Sequence, residues 1–401
     1  MSLVALALVA LGVPGAPVDA QPAASGVAPR SAAAITDMRV LDPAVVAARL
    51  ALLTRAEAEL ARGDTVAATD TFDRAAMMLH APDTEMGLVR AYMQAGQYRR
   101  ALAFCAHVAG AHLESAPAGA LYAWLLRAGG QPAVAERALQ DTLERSPHDP
   151  VAFEVRRAFS APRRLATGLL LQGPHRMAPQ ALMQDMQAAV PEAARVVSSG
   201  VLINEGTMAL IPSAVAGLAP SGELWVRNGL GRTTRARIDP VAQGFEALGL
   251  SLLRLDAALD GSGTQSVSGR DPFAGSVGFA VEYATSDTAV PAWPSLSQGF
   301  FGLAEGNARL RRLGVEIADG PHGGPVLDAS GRLAGIVLQG AGGEALMLPA
   351  SRWHELVAVT PDSSTRDSLD ANQPGRAARA ISVDEAYEHG LRLALQVIAL
   401  P

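Results

Sequence analysis

Three glycines, Gly63, Gly96 and Gly130, stand 33 and then 34 residues apart, and each precedes the same order of small and large residues. Gly63 is followed by Ala68, Phe72 and Ala75, Gly96 by Tyr98, Ala101, Cys105 and Val108, and Gly130 by Ala135, Leu139 and Thr142. These offsets follow helical spacing, so each set marks one face of a helix. A unit this short cannot bury that face alone and has to stack on its neighbours. Residues 43–160 are therefore expected to form helical hairpins, with glycine permitting the turn and alanine a close approach between helices. Pro147 and Pro150 follow the third unit, where a helix cannot continue.

The period is that of tetratricopeptide repeats, and Gly96-Gln97-Tyr98-Arg99-Arg100-Ala101-Leu102 resembles the turn and second-helix start of that family. The resemblance implies a curved slab whose concave face holds a peptide or protein segment.

From 161 to 360 the pattern changes to short β-rich runs broken by glycine. They are 165–171, 194–204, 224–228, 234–238, 248–255, 277–282 and 335–338. Many short strands at such spacing predict an all-β barrel or sandwich. Residues 340–343 read as a hairpin turn, since no helix signal follows to make them a phosphate cradle. Residues 361–380 are polar and contain proline, as a linker would. Ser382 through Glu385 then form a capping box ahead of an apolar-faced helix running to about 399, within a terminal segment 381–400.

Residues 3–13 are apolar and too short to span a bilayer, and Val18-Asp19-Ala20 offers a signal-peptidase site. The expected order is a signal peptide 1–20 cleaved near Ala20, then a linker 21–42, with export to the periplasm or beyond. No Lys or Arg precedes the apolar run, which departs from the usual signal peptide.

All 33 basic residues are arginine, which excludes a P-loop, a Ser-Lys dyad and Schiff-base chemistry, since each needs a lysine amine. A net charge of −6 argues against nucleic-acid binding. Cys105 is the only cysteine, so no internal disulfide forms. The histidines show no metal-ligand spacing. His107 and His112, five apart near a helix end, have no acidic or thiol partner at a usual offset and read as solvated or capping residues. No metal, cofactor or membrane span is expected.

The most specific stretch is Gly320-Pro321-His322-Gly323-Gly324-Pro325, followed by the 331–336 segment Gly-Arg-Leu-Ala-Gly-Ile. It resembles the nucleophile loop of trypsin-like serine proteases, Gly-x-Ser-Gly-Gly-Pro, with His322 in place of the serine. By the same resemblance Ser213, after 208–212, stands where the family has its histidine. Gly249, before 250–255, stands where it has its aspartate. Asp239 and Glu246 lie near Gly249 but off the motif position. The resemblance implies a trypsin-like double β-barrel after the helical hairpins and before the C-terminal helix.

The family's chemistry needs a hydroxyl, an imidazole to take its proton, and a carboxylate to orient that imidazole. Ser213, Gly249 and His322 supply none of these at the required places, so a degenerate protease without peptidase activity is expected. What the resemblance leaves is binding apparatus. It comprises the oxyanion-hole loop Gly320, His322 and Gly323, and the strand Leu338, Gln339 and Gly340 that would pair with an extended segment. Glu316 is the candidate for the base of the side-chain pocket, against the plain reading of a surface carboxylate. The rival reading is an active protease with displaced catalytic residues, in which Ser213 and His322 form a reversed dyad. In a third, the β domain merely supports the helical slab.

Overall fold

The computed structural model describes residues 42–161, 168–184, 186–218, 222–240, 244–259, 267–268, 270–305, 310–317, 322–340, 342–358 and 379–401. The expected signal peptide, nearly all of the first linker and most of the second lie outside them.

Among the described residues seven helices come first: α1 (Pro43–Ala61), α2 (Thr65–Met78), α3 (Pro82–Gln94), α4 (Tyr98–Ala111), α5 (Ala116–Ala128), α6 (Pro132–Arg145) and α7 (Pro150–Ser160). The three spaced glycines build three copies of one turn. Gly63, Gly96 and Gly130 all take positive φ, at 79°, 71° and 83°. In each, the glycine N–H bonds back to the second-last helical carbonyl. The next N–H reaches one carbonyl further, as Asp64 to Glu59, Gln97 to Tyr92 and Gln131 to Leu126. This double bond pattern closes a helix with a left-handed residue, which only glycine adopts without strain. The residues that follow the glycines are buried as the spacing required: Ala68, Ala101 and Ala135 each at 0% exposure, then Phe72, Cys105 and Leu139 at 2% or less. Cross-links between hairpins keep the same period, with Arg49 paired to Asp83, Arg90 to Glu57, and Gln94 donating to the Leu60 carbonyl.

Two closed six-stranded antiparallel barrels follow. The strands are β1 (Leu182–Met183), β2 (Arg195–Ile203), β3 (Met208–Pro212), β4 (Leu224–Asn228), β5 (Arg232–Ile238), β6 (Leu250–Leu255), β7 (Val277–Glu282), β8 (Ser295–Glu305), β9 (Leu310–Gly314), β10 (Pro325–Asp328), β11 (Leu333–Gln339), β12 (Ala345–Pro349) and β13 (Ala394–Ala399). Short helices α8 (Ser213–Ala216) and α9 (His354–Ala358) lie between them, and α10 (Val383–Leu393) precedes the last strand. The second barrel runs β10-β11-β12-β9-β8-β7 and closes on itself. The first runs β5-β4-β13-β2-β3-β6 and closes through β5 and β6, while β1 adds in parallel to β5. The trypsin-like double barrel expected from sequence is the observed architecture.

Two expectations change. The C-terminal helix starts as predicted, with the Ser382 hydroxyl accepting from the Glu385 N–H at 3.2 Å, but ends at Leu393 rather than near 399. Residues 394–399 form β13 instead, buried at every position, between β2 and β4. A short apolar run fits a helix end or a strand with both sides covered equally well, and here the unclosed barrel decides. The predicted run 165–171 is not a strand where it is described: Gly168–Leu171 is a 3-10 turn, and 165–167 lie outside the described residues.

The described residues fall in one compact unit, and α10 packs against both hairpins and barrels within it. The glycine-turn edge of the hairpins meets it. Arg392 donates to the Gly96 carbonyl at 3.0 Å, Gln131 to Asp384 at 3.0 Å, and Arg99 pairs with Glu388. Tyr98 packs edge-on against Tyr387, whose hydroxyl donates to the Pro294 carbonyl at 2.7 Å. On the first barrel the Gly229 N–H donates to the Leu391 carbonyl at 2.8 Å. Among the described residues no helix is long and apolar enough to cross a membrane.

Candidate functional site

The three positions singled out by motif spacing converge where the barrels meet. β3 ends at Pro212, and Ser213 opens the single turn α8; its N–H donates to the Gly249 carbonyl at 2.9 Å. This follows from the ladder, because Pro212 pairs with Leu250 across β3 and β6, which places the residues just beyond them side by side. Gly249 caps the 3-10 turn Glu246–Leu248 at φ 74°, and the space where its side chain would start is open.

His322 arrives from the second barrel. Its carbonyl accepts from the Ser198 hydroxyl on β2 at 2.7 Å, and the residue is 6% exposed. Gly323 packs onto the first barrel so closely that a Cβ there would lie 2.2 Å from the Ser199 carbonyl and 2.7 Å from the Pro212 ring. The loop can approach only because position 323 has no side chain, and the approach sets it one residue from Ser213 along the chain of β3. Gly320 lies outside the described residues, so half of the expected oxyanion pair is not placed.

A buried carboxylate that the motif comparison did not single out holds this loop. Glu282 ends β7, and its Oε1 accepts the N–H groups of Gly324 at 3.0 Å and Gly323 at 3.4 Å. Among the described residues its Oε2 has no hydrogen-bond partner, though it is buried. Burial pushes this carboxyl up to about 7, against the lowering effect of hydrogen bonds from Ser199 and the two glycine N–H groups. The signal in the sequence was an acid ending an otherwise apolar run, Val277 to Ala280, Val281 and Glu282.

The other candidates are placed as follows. Leu338 and Gln339 pair with Leu346 and Ala345 of β12, and the Gly340 N–H donates to the Glu344 carbonyl at 2.9 Å. On the opposite side β10 pairs with β11 only as far as Ile336, and the Val337 N–H reaches the Gly324 carbonyl. Beyond that point no strand of the described residues covers that side of 338–340. Of the expected turn over 340–343, residue 341 lies outside the described residues, and the Gly343 N–H returns to the Gly340 carbonyl at 3.0 Å. Glu316 is exposed. Of the two nearby acids, Asp239 is buried against Arg254 at 2.7 Å, and Glu246 is exposed. A surface cavity of about 370 Å³ lies elsewhere on the first barrel, lined by Arg195, Val196, Leu218, Ser286 and Asp287 among others.

The reading of His112 as solvated or capping, with no acidic partner, is overturned. It is 5% exposed, with Nε2 2.9 Å from Glu85 and Nδ1 3.3 Å from Glu114. Glu85 sits 27 positions earlier in sequence, across a helix packing that no local offset reveals.

No family model and no curated protein matches this chain. Among solved structures, the chain is similar to the apo form of the MamO protease domain from Magnetospirillum magneticum, at 20% identity and a TM-score of 0.31. The match covers 42% of this chain and 98% of that one. The barrel assignment rests on the strand pairing described above.

Proposed function

We propose that this chain is an exported pseudoprotease that holds an extended segment of another protein. What carries the reading is the convergence of Ser213, Gly249 and His322 at the junction of the barrels with the wrong chemistry at each place. The nucleophile position carries an imidazole, the base position a hydroxyl that takes no proton near neutral pH, and the acid position no side chain. Losing one member of such a triad already removes most of its rate; here all three are replaced. The strand side open at 338–340 supports docking by strand addition, which needs main-chain donors and acceptors but no triad. The helical slab, read as tetratricopeptide-like, would supply a second protein-binding face.

A fluorophosphonate probe tests the loss of chemistry on the whole protein. The expected result is no covalent label. Labelling of Ser213 that disappears in Ser213→Ala would overturn the reading in favour of a reversed dyad. Binding of extended peptides, followed by fluorescence anisotropy, should then weaken when Gln339→Pro removes the N–H of that residue.

A further inference from the structure

The far end of the hairpins, away from the glycine turns, carries a cluster unconnected with the barrel junction. His80 lies in the link between α2 and α3, Glu85 in the first turn of α3, and His112 just past the end of α4. The carboxylate of Glu85 sits between the two imidazoles. His80 Nε2 lies 2.8 Å from one of its oxygens, and His112 Nε2 2.9 Å from the other. The rings are 4.8 Å apart between centroids and tilted by 33°. Glu85 and His112 are buried, while His80 is about one-third exposed.

We infer that His80, Glu85 and His112 form a binding site for a divalent first-row transition ion, zinc first among them. The arrangement of the donors points there. Both nitrogens of the His112 ring face carboxylate oxygens, Glu85 on Nε2 and Glu114 on Nδ1, and the same Glu85 carboxylate faces His80 Nε2. Two imidazoles and a carboxylate are the donor set that zinc takes in open sites. A carboxylate on the outer nitrogen of a ligating histidine orients the ring and keeps its proton on that side. Glu114 holds that position.

The dimensions fit after a small movement. The donor atoms all lie within 4.8 Å of one another. In a tetrahedral site with ligands at about 2.1 Å, two donors lie about 3.4 Å apart. A separation as wide as 4.8 Å therefore has to close by about 1.4 Å, and the partly exposed His80, in a short link, is the ligand free to swing in. Each histidine binds through a deprotonated Nε2, so any proton held there leaves to solvent as the ion enters. Three protein ligands leave a fourth position, on the exposed His80 side, for water or a partner's side chain. The ion would tie together three segments, the α2–α3 link, the first turn of α3 and the end of α4.

The site is independent of the pseudoprotease reading, and so is its test. The full chain, stripped with a chelator, is titrated with Zn²⁺ by calorimetry and with Co²⁺ by visible absorption. Saturable uptake of one equivalent is expected, with the d–d bands of a four-coordinate site and a raised melting temperature. His80→Ala and Glu85→Gln should each abolish that uptake, and Glu114→Gln should weaken it by about 10- to 100-fold. The His80 variant changes a partly exposed link and the Glu85 variant keeps the side-chain shape, so a folded protein is available even if His112→Ala fails to fold. Absence of uptake by the parent chain, or uptake unchanged in both the His80 and Glu85 variants, overturns the inference.

Discussion

The second barrel closes on one stretch of chain, residues 277–349, each strand pairing with strands that lie within it. The first barrel has five strands between 195 and 255 and stays open until β13 returns from the chain end to fill the gap between β2 and β4. The first barrel thus depends on a contact of very long sequence separation, and such contacts form late because the loop between them must be closed first. The dependence also ties three parts together. The residues that carry β13 to its place are α10, which lies against the hairpins through Arg392 and Tyr387 and against the first barrel through Leu391. A test that deletes 161–360 and asks whether the helical slab still binds would leave both α10 and β13 without most of their packing partners. Function has to be assigned with the chain whole.

The largest effect that would break this contrast is truncation. Removing residues 394–401 takes away a strand buried at all six positions and bonded on both sides. The first barrel is expected to lose cooperative folding, with hydrogen-exchange protection of β2 and β4 collapsing while that of β11 and β12 persists. Equal protection of both barrels in the truncated protein would show that the first closes without its sixth strand.

Between the barrels, Glu282 makes a pH-dependent difference. Burial raises its carboxyl to about 7, from an ordinary value of 4.5, so between those values the folded protein keeps a proton that the unfolded chain has released. The associated stability is complete below about pH 4.5 and is lost as pH rises through about 7. Glu282→Gln should flatten that decline, by about 3 kcal/mol at most, in denaturant titrations at pH 5 and pH 8. An unchanged slope would mean that the carboxyl is not what makes the loop junction sensitive to pH.

The smallest expected effect sharpens the role of the connector. Ser382 caps α10 through the Glu385 N–H, and Ser382→Ala should cost about 1 kcal/mol. Because α10 delivers β13, that loss should appear as weaker protection in β2 and β4 and leave β11 and β12 unchanged. A uniform loss over both barrels would argue that α10 serves the two equally.

Much of the molecule was legible beforehand, for reasons that differ by region. The hairpin turns were readable because a positive φ selects glycine and the stacking period repeats it at 63, 96 and 130. The loop around His322 was readable because its close approach to Ser199 and Pro212 again demands glycine at 323. Ser213 and Gly249 were found by their place beside strands, and the β3–β6 ladder put them together. What stayed hidden has no local pattern. Gln396 is a polar residue at 0% exposure, and only its bonds to Arg227 and the Val290 carbonyl explain its presence in a buried strand. Glu282 and the His80–Glu85–His112 cluster are likewise defined by partners far off in sequence.

By itself, then, the sequence determined the backbone conformations that need a particular residue type, namely the three helical turns, the tight loop at His322 and the cap at Ser382. The tertiary structure alone decided that 394–399 is a strand, that a buried carboxylate holds the His322 loop, and that two histidines face one glutamate. The physical reason is the range of the forces involved. Backbone strain and capping act over a few residues and leave their mark in local sequence, whereas the burial of a strand edge or of a charge is settled by whatever distant segment comes to cover it.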